Sequence, residues 1–264
     1  MTRRSYPHLV NAPIVEAVID FRVSGTNSNA IDGLRKVCDQ MSSGYPKCEN
    51  LNQIQAQVHF SVLEAEQKLQ GSHRPFGFRL TSADGKHVAM LTVEGFTVSR
   101  LRPYDRWESL RDEAKRLWEL YRRGAEPKSI SRIGLRYINR LNLPAIVRDF
   151  RDYLTAPPDV PPRLSQNLME FNTRIVIPVA SIGAAAAIIQ KLTMADLQNV
   201  ISRMQQRQTD LSLPVLLDID VFKPVEFSPE SSDVWDLAEK MRHEKNVIFF
   251  ESITEEMENL CAQR

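Results

Sequence analysis

The chain has 264 residues, 42% hydrophobic and 25% charged, an ordinary globular composition that excludes disordered and fibrous classes. With 34 Lys and Arg against 33 Asp and Glu the formal net charge is +1, which argues against a uniformly basic coat for nonspecific nucleic-acid binding. Cys38, Cys48 and Cys261 lack CxxC spacing, and no signal-peptide core or apolar window of membrane-spanning length occurs, so a soluble, cytoplasmic protein without a membrane partner is expected.

Residues 14–23 set Val15, Ala17, Ile19, Phe21 and Val23 on one side and Glu16, Asp20 and Arg22 on the other, the period of a half-buried strand. Residues 28–42 carry Ile31, Leu34, Val37, Cys38 and Met41 at helical spacing and stop at a Ser-Ser-Gly-Tyr-Pro turn. Strands are predicted at 53–62, 76–82, 86–93 and 96–102, with Asp84-Gly85 and Glu94-Gly95 as hairpin turns. A helix over 106–123 gathers Trp107, Leu110, Ala114, Leu117, Trp118 and Tyr121 on one face, with Gly124 as its stop.

The second half reads in similar order: a strand at 130–140, a short helical stretch at 145–154 and a Pro-rich loop at 157–162. Strands follow at 168–178, 184–193, 199–208 and 214–222, then a helix at 231–246. The runs AAAAIIQKL and NVISRMQQR are also helix-prone by propensity. The expected class is α+β: two β-α-β4-α halves, 1–126 and 127–264, forming one curved antiparallel sheet with helices on one face. That order resembles the duplicated saddle of the TATA-box-binding protein in topology alone, and topology does not imply function.

Three stretches carry a further resemblance: NAPIVEAVIDFRV at 11–23, ISRIGLRYINRLNLP at 130–144, and LLDIDVF at 216–222 with WDLAEKMRHEKNVIFFESITEEM at 235–257. They resemble a sporadically distributed bacterial family of uncharacterised proteins with an Asn/Pro-Pro-Ile-x-Glu-Ala start and a Gly-Leu-Arg-Tyr-x-Asn-Arg core. His243 matches a histidine position of that family, and the resemblance implies a bacterial accessory gene without implying an activity.

Alternation along 130–140 puts Arg132, Arg136 and Arg140 on one strand face, while Asp218 and Asp220 lie on the strand at 214–222. If the halves meet through their first strands, these groups face Glu16, Asp20 and Arg22, either as a register-fixing charge ladder or as a polar groove that grips a ligand. Arg100 and Arg102 are expected to extend the groove, within a segment from Arg100 to Arg140 that holds 12 Lys or Arg and 6 Asp or Glu. Tyr104, Trp107, Trp118 and Tyr121 are candidates for base stacking, although helical spacing favours the core for the last three.

The histidines show no HxH, HxxxH or HExxH spacing, and no nucleophile elbow, Walker A loop or dinucleotide fingerprint occurs, so no metal and no cofactor are expected. Gln53, Gln55, Gln57 and His59 alternate on one strand face as a candidate hydrogen-bonding surface. The expected function is non-enzymatic binding or regulation with a protein partner on an uncovered sheet face. A nucleic-acid module using the sheet arginines is the alternative, a homo-oligomer is a further partner class, and a hydrolase or transferase with cross-strand carboxylates comes third.

Overall fold

The structure, a computed structural model, describes Tyr6, Leu9 and residues 11–58 and 69–262, the side chains of 53–58 and 69–74 excepted. The elements are β1 (Ile14–Ser24), α1 (Ala30–Gln40), β2 (Lys47–Val58), β3 (Leu69–Thr81), β4 (His87–Thr92), β5 (Gly95–Leu101), α2 (Trp107–Ala125), β6 (Ser129–Pro144), β7 (Phe171–Val179), β8 (Ala184–Leu192), α3 (Met194–Gln205), β9 (Ser212–Phe227), α4 (Asp233–Ser252) and α5 (Glu255–Ala262). A single 3-10 turn, Phe150–Asp152, stands where a short helix was expected at 145–154; the Asp149 carboxylate accepts the Arg151 N–H at its start. Of the expected strand at 53–62, residues 59–62 lie outside the described residues, as do His59 and the side chains of Gln53, Gln55 and Gln57.

Among the described residues all nine strands form one antiparallel sheet in the order β2-β3-β4-β5-β1-β6-β9-β8-β7, so the fold is α+β. β1 and β6 lie side by side at its middle, with Ile19 opposite Leu135 and Asp20 opposite Gly134. Period-two alternation then sorts the side chains: Ala17, Ile19 and Phe21 of β1, Ile133, Leu135 and Tyr137 of β6 and Leu217, Ile219 and Val221 of β9 are buried on one face. The buried apolar residues of the five helices join these strand residues in one core cluster. Val88 and Ala187, buried on the other face, lie outside that cluster, and no helix packs there among the described residues.

Phe21 is where the halves are pinned together. Its ring meets Trp118 of α2 edge-on at 5.2 Å and Trp235 of α4 at 5.3 Å, so both long helices anchor on the same strand. Trp118 and Tyr121 are buried, donating to the carbonyls of Pro229 (3.0 Å) and Thr92 (2.9 Å), and Trp107 is buried too; none of the three presents its ring at the outer surface for a nucleic-acid base to stack on.

Three further expectations are corrected. The segment 199–208 is not a strand, because Thr193 accepts the Asp196 N–H as an N-cap and Leu197 and Val200 turn inward at helical spacing, which makes α3. The second half therefore runs strand, 3-10 turn, two strands, helix, strand and two helices, not β-α-β4-α. Gly124 does not stop α2; the helix ends at Glu126, which takes the left-handed conformation (φ 48°) and donates its N–H to the Arg122 carbonyl. Gly124 instead faces Gly33 where α1 crosses α2, so closely that a Cβ on Gly33 would lie 2.0 Å from the Gly124 carbonyl oxygen.

Candidate functional site

The uncovered face holds the expected charged residues on three adjacent strands. Arg132 of β6 folds along its own strand over Gly134, whose lack of a side chain makes the room: a Cβ there would be 2.9 Å from the guanidinium. Gly134 is flanked in register by Asp20 of β1 and Phe222 of β9. Accordingly Arg132 donates to Asp20 at 2.8 Å and Asp220 at 3.4 Å, and its guanidinium sits 5.1 Å from the Phe222 ring centroid.

Arg136 makes the tightest pair, donating through Nε (2.8 Å) and a terminal nitrogen (2.5 Å) to the two oxygens of Asp218. The Asp218 side chain is 4% exposed and that of Arg136 47%, so the pair is lopsided: carboxylate below, guanidinium at the surface. The Asp218 bond holds the Arg136 pKa above its ordinary value, with Asp220 and Glu16 adding to the effect. Burial raises the Asp220 pKa, against the pull of Arg132 and Arg136.

Arg22 reaches Asp20 at 3.7 Å, at the edge of ion-pair range. The side chains of Glu16 and Arg140 form no hydrogen bond or ion pair among the described residues, and Arg140 is exposed. The ladder as a whole sets Arg22, Arg132, Arg136 and Arg140 against Glu16, Asp20, Asp218 and Asp220, which balances to zero. Arg100 does not extend it: it lies opposite Ala17 on the helix-covered face, buried, with Asp105 at 3.5 Å. Arg102 lies beyond the end of β5.

The register also bears on a carboxylate pair. Glu16 pairs with Ile138, which pairs with Asp218, so two strand spacings, roughly 9–10 Å, separate the backbones of the two acids. Arg136 occupies Asp218, and no metal-binding group of His, Cys, Asp and Glu occurs among the described residues. An Arg136→Ala variant should lose about 2 kcal/mol in urea unfolding, because a nearly buried carboxylate is left without its partner. Arg140→Ala should change stability by under about 0.5 kcal/mol.

Sequence reasoning missed a second polar cluster on the covered face, around Lys245 of α4, Tyr137 and Asn139 of β6, and Tyr104. One signal was present: Lys245 stands on the same helical stripe as the buried residues Val234, Leu237, Ala238, Met241, Ile248 and Phe249, where the period calls for an apolar side chain. No family model matches the chain, and no curated protein shows significant similarity to it.

Proposed function

We propose that this is a non-enzymatic binding or regulatory protein that takes a protein partner on the open face of its sheet. The observation that best supports a protein rather than a nucleic acid is the charge balance of the three central strands of that face. Their two central arginines are engaged by Asp20, Asp218 and Asp220, so the middle of the face offers little of the net positive field that phosphate binding needs, Arg174 of β7 and Lys191 of β8 lying to one side. Between the charges stand Val18, Ile138 and the exposed Met90, apolar anchors in a polar setting as protein interfaces have.

The same reading includes a cytoplasmic, bacterial protein of the sporadically distributed family and a duplicated ancestry. Supporting the duplication, each half puts its first strand at the centre and its last strand beside it, β5 next to β1 and β9 next to β6. Among the described residues no helix is long and apolar enough to cross a membrane. Self-association is a second reading, through the edge strand β7, which exposes Ile175, Val176 and Ile177.

The test is capture of partners from cells that encode the protein, at low and high salt, with protein, RNA and DNA all analysed and an Arg136→Glu variant alongside. A discrete protein retained at high salt and lost with Arg136→Glu is expected. Nucleic acid retained at low salt only, or capture indifferent to Arg136→Glu, would overturn the reading.

A further inference from the structure

On the covered side of the sheet, beside Tyr6 and Leu9, lies a cavity of about 300 Å³, at the small end of the range for ligand pockets. Tyr137 and Asn139 of β6 form its floor, α4 from Arg242 to Phe250 one wall, and the approach to α2 from Tyr104 to Glu108 another. Lys245 lines this space although it is only 7% exposed. Its ammonium stands 3.8 Å from the centroid of the Tyr137 ring and has no hydrogen bond or ion pair among the described residues. A buried ammonium whose one attraction is a ring face is costly to the fold unless something else completes its shell.

Nearby polar groups leave that role open. The Tyr104 and Tyr137 hydroxyls share one hydrogen bond at 3.1 Å, and the Asn139 amide nitrogen donates to the carbonyls of Leu217 (3.0 Å) and Tyr137 (3.3 Å). The carboxylates nearby are held by other partners: Asp105 accepts from Ser109 at 2.9 Å and faces Arg100, and Glu239 accepts from Arg242 at 2.9 Å. Lys245 is left without a hydrogen-bonded or ion-paired counter-charge among the described residues. The remaining lining is largely aromatic and aliphatic, with Phe250 stacked on Tyr6 at 4.7 Å.

We propose that this cavity binds a small monocarboxylate with an apolar body, its carboxylate completing the shell of Lys245 beside Arg242 and its body lying against Trp107, Phe249 and Phe250. A phosphate fits the donor set less well, since it brings more charge than the one unpaired ammonium can meet and Arg242 already donates to Glu239 at 2.9 Å. Burial, with Arg242 adding, lowers the Lys245 pKa to about 7. The other titratable groups around it are Tyr104 and Tyr137, both pushed up by burial, the Tyr6, Asp105, Arg106 and Glu108 side chains, and Glu239 behind Arg242. A carboxylate arriving beside Lys245 favours its charged form, so binding near neutral pH takes up a proton.

The experiment is calorimetric titration of the intact protein at pH 7 with phenylacetate, hexanoate and neutral phenylacetamide, in two buffers of different ionisation enthalpy. At least one acid should bind with a Kd below about 1 mM, with proton uptake, and at least about tenfold more tightly than the amide. Lys245→Met should weaken that binding at least about tenfold while its thermal transition confirms a folded protein. Failure of both acids to bind, equal binding of the amide, or unchanged binding by Lys245→Met would overturn the proposal. The open sheet face plays no part in this titration, so the partner reading stands or falls separately.

Discussion

A Gly33→Ala variant should unfold at a markedly lower urea concentration, having lost about 3 kcal/mol of stability. Helix propensity alone predicts the opposite, since Ala in a helix interior is favoured over Gly by up to about 1 kcal/mol. Packing decides the sign here. The added methyl would sit 2.0 Å from the carbonyl oxygen and 2.8 Å from the carbonyl carbon of Gly124, both backbone atoms that no rotamer change can move. Relief requires α1 and α2 to move apart, which loosens Leu34 and Val37 against the buried face of α2 and puts the cost at the upper end of overpacking effects. Gly124→Ala should cost less, about 1–2 kcal/mol, because its methyl would meet a Val37 side-chain carbon at 2.8 Å and the Gly33 oxygen at 3.0 Å. A Gly33→Ala midpoint at or above that of the parent protein would show that the crossing is not tight.

Lys245→Met should stabilise the protein by about 1–3 kcal/mol at pH 7, the gain found when buried charges give way to apolar side chains of similar size. The pH dependence follows from linkage. Lys245 ordinarily titrates at 10.5 and in the folded chain at about 7, so between those values the unfolded state holds the extra proton. Stability from this group is therefore full above about pH 10.5, falls as pH drops through that window, and levels off below about pH 7, a total on the order of 5 kcal/mol. Unfolding curves between pH 7 and 10 should show this slope in the parent protein and lose it in Lys245→Met. Identical slopes would mean that the ammonium is compensated by something other than the Tyr137 ring.

Much of the architecture was legible because period-two alternation is strong where one sheet face is covered and the other is open. β1 and β6 stand out for that reason, and the same alternation placed Glu16, Asp20, Arg22, Arg132, Arg136, Arg140, Asp218 and Asp220 on one face. The pairing of Arg132 with Asp20 depends on the register between β1 and β6, set by long-range packing that local pattern does not encode. Short apolar runs were the weak point. The alanine-rich β8 is a strand because β7 and β9 pair with it on both sides, while the adjacent α3 is a helix announced by its Thr193 cap. Gly124 was misread because a glycine near a helix end suggests a stop, whereas its true constraint is a residue 91 positions earlier in the chain, Gly33. Lys245 went unremarked because a lysine among Arg242, His243 and Glu244 resembles a solvated face until the helical phase is drawn through it.

Where on the molecule a partner docks is read most directly by site-specific photo-crosslinking in cells, with a benzophenone amino acid placed in turn at Met90 and Arg140 on the bare side of the sheet and at Lys36 and Asp112 on the helices. Adducts to one protein species from Met90 and Arg140, and none from Lys36 or Asp112, are the predicted result. Adducts confined to the helical positions would contradict it.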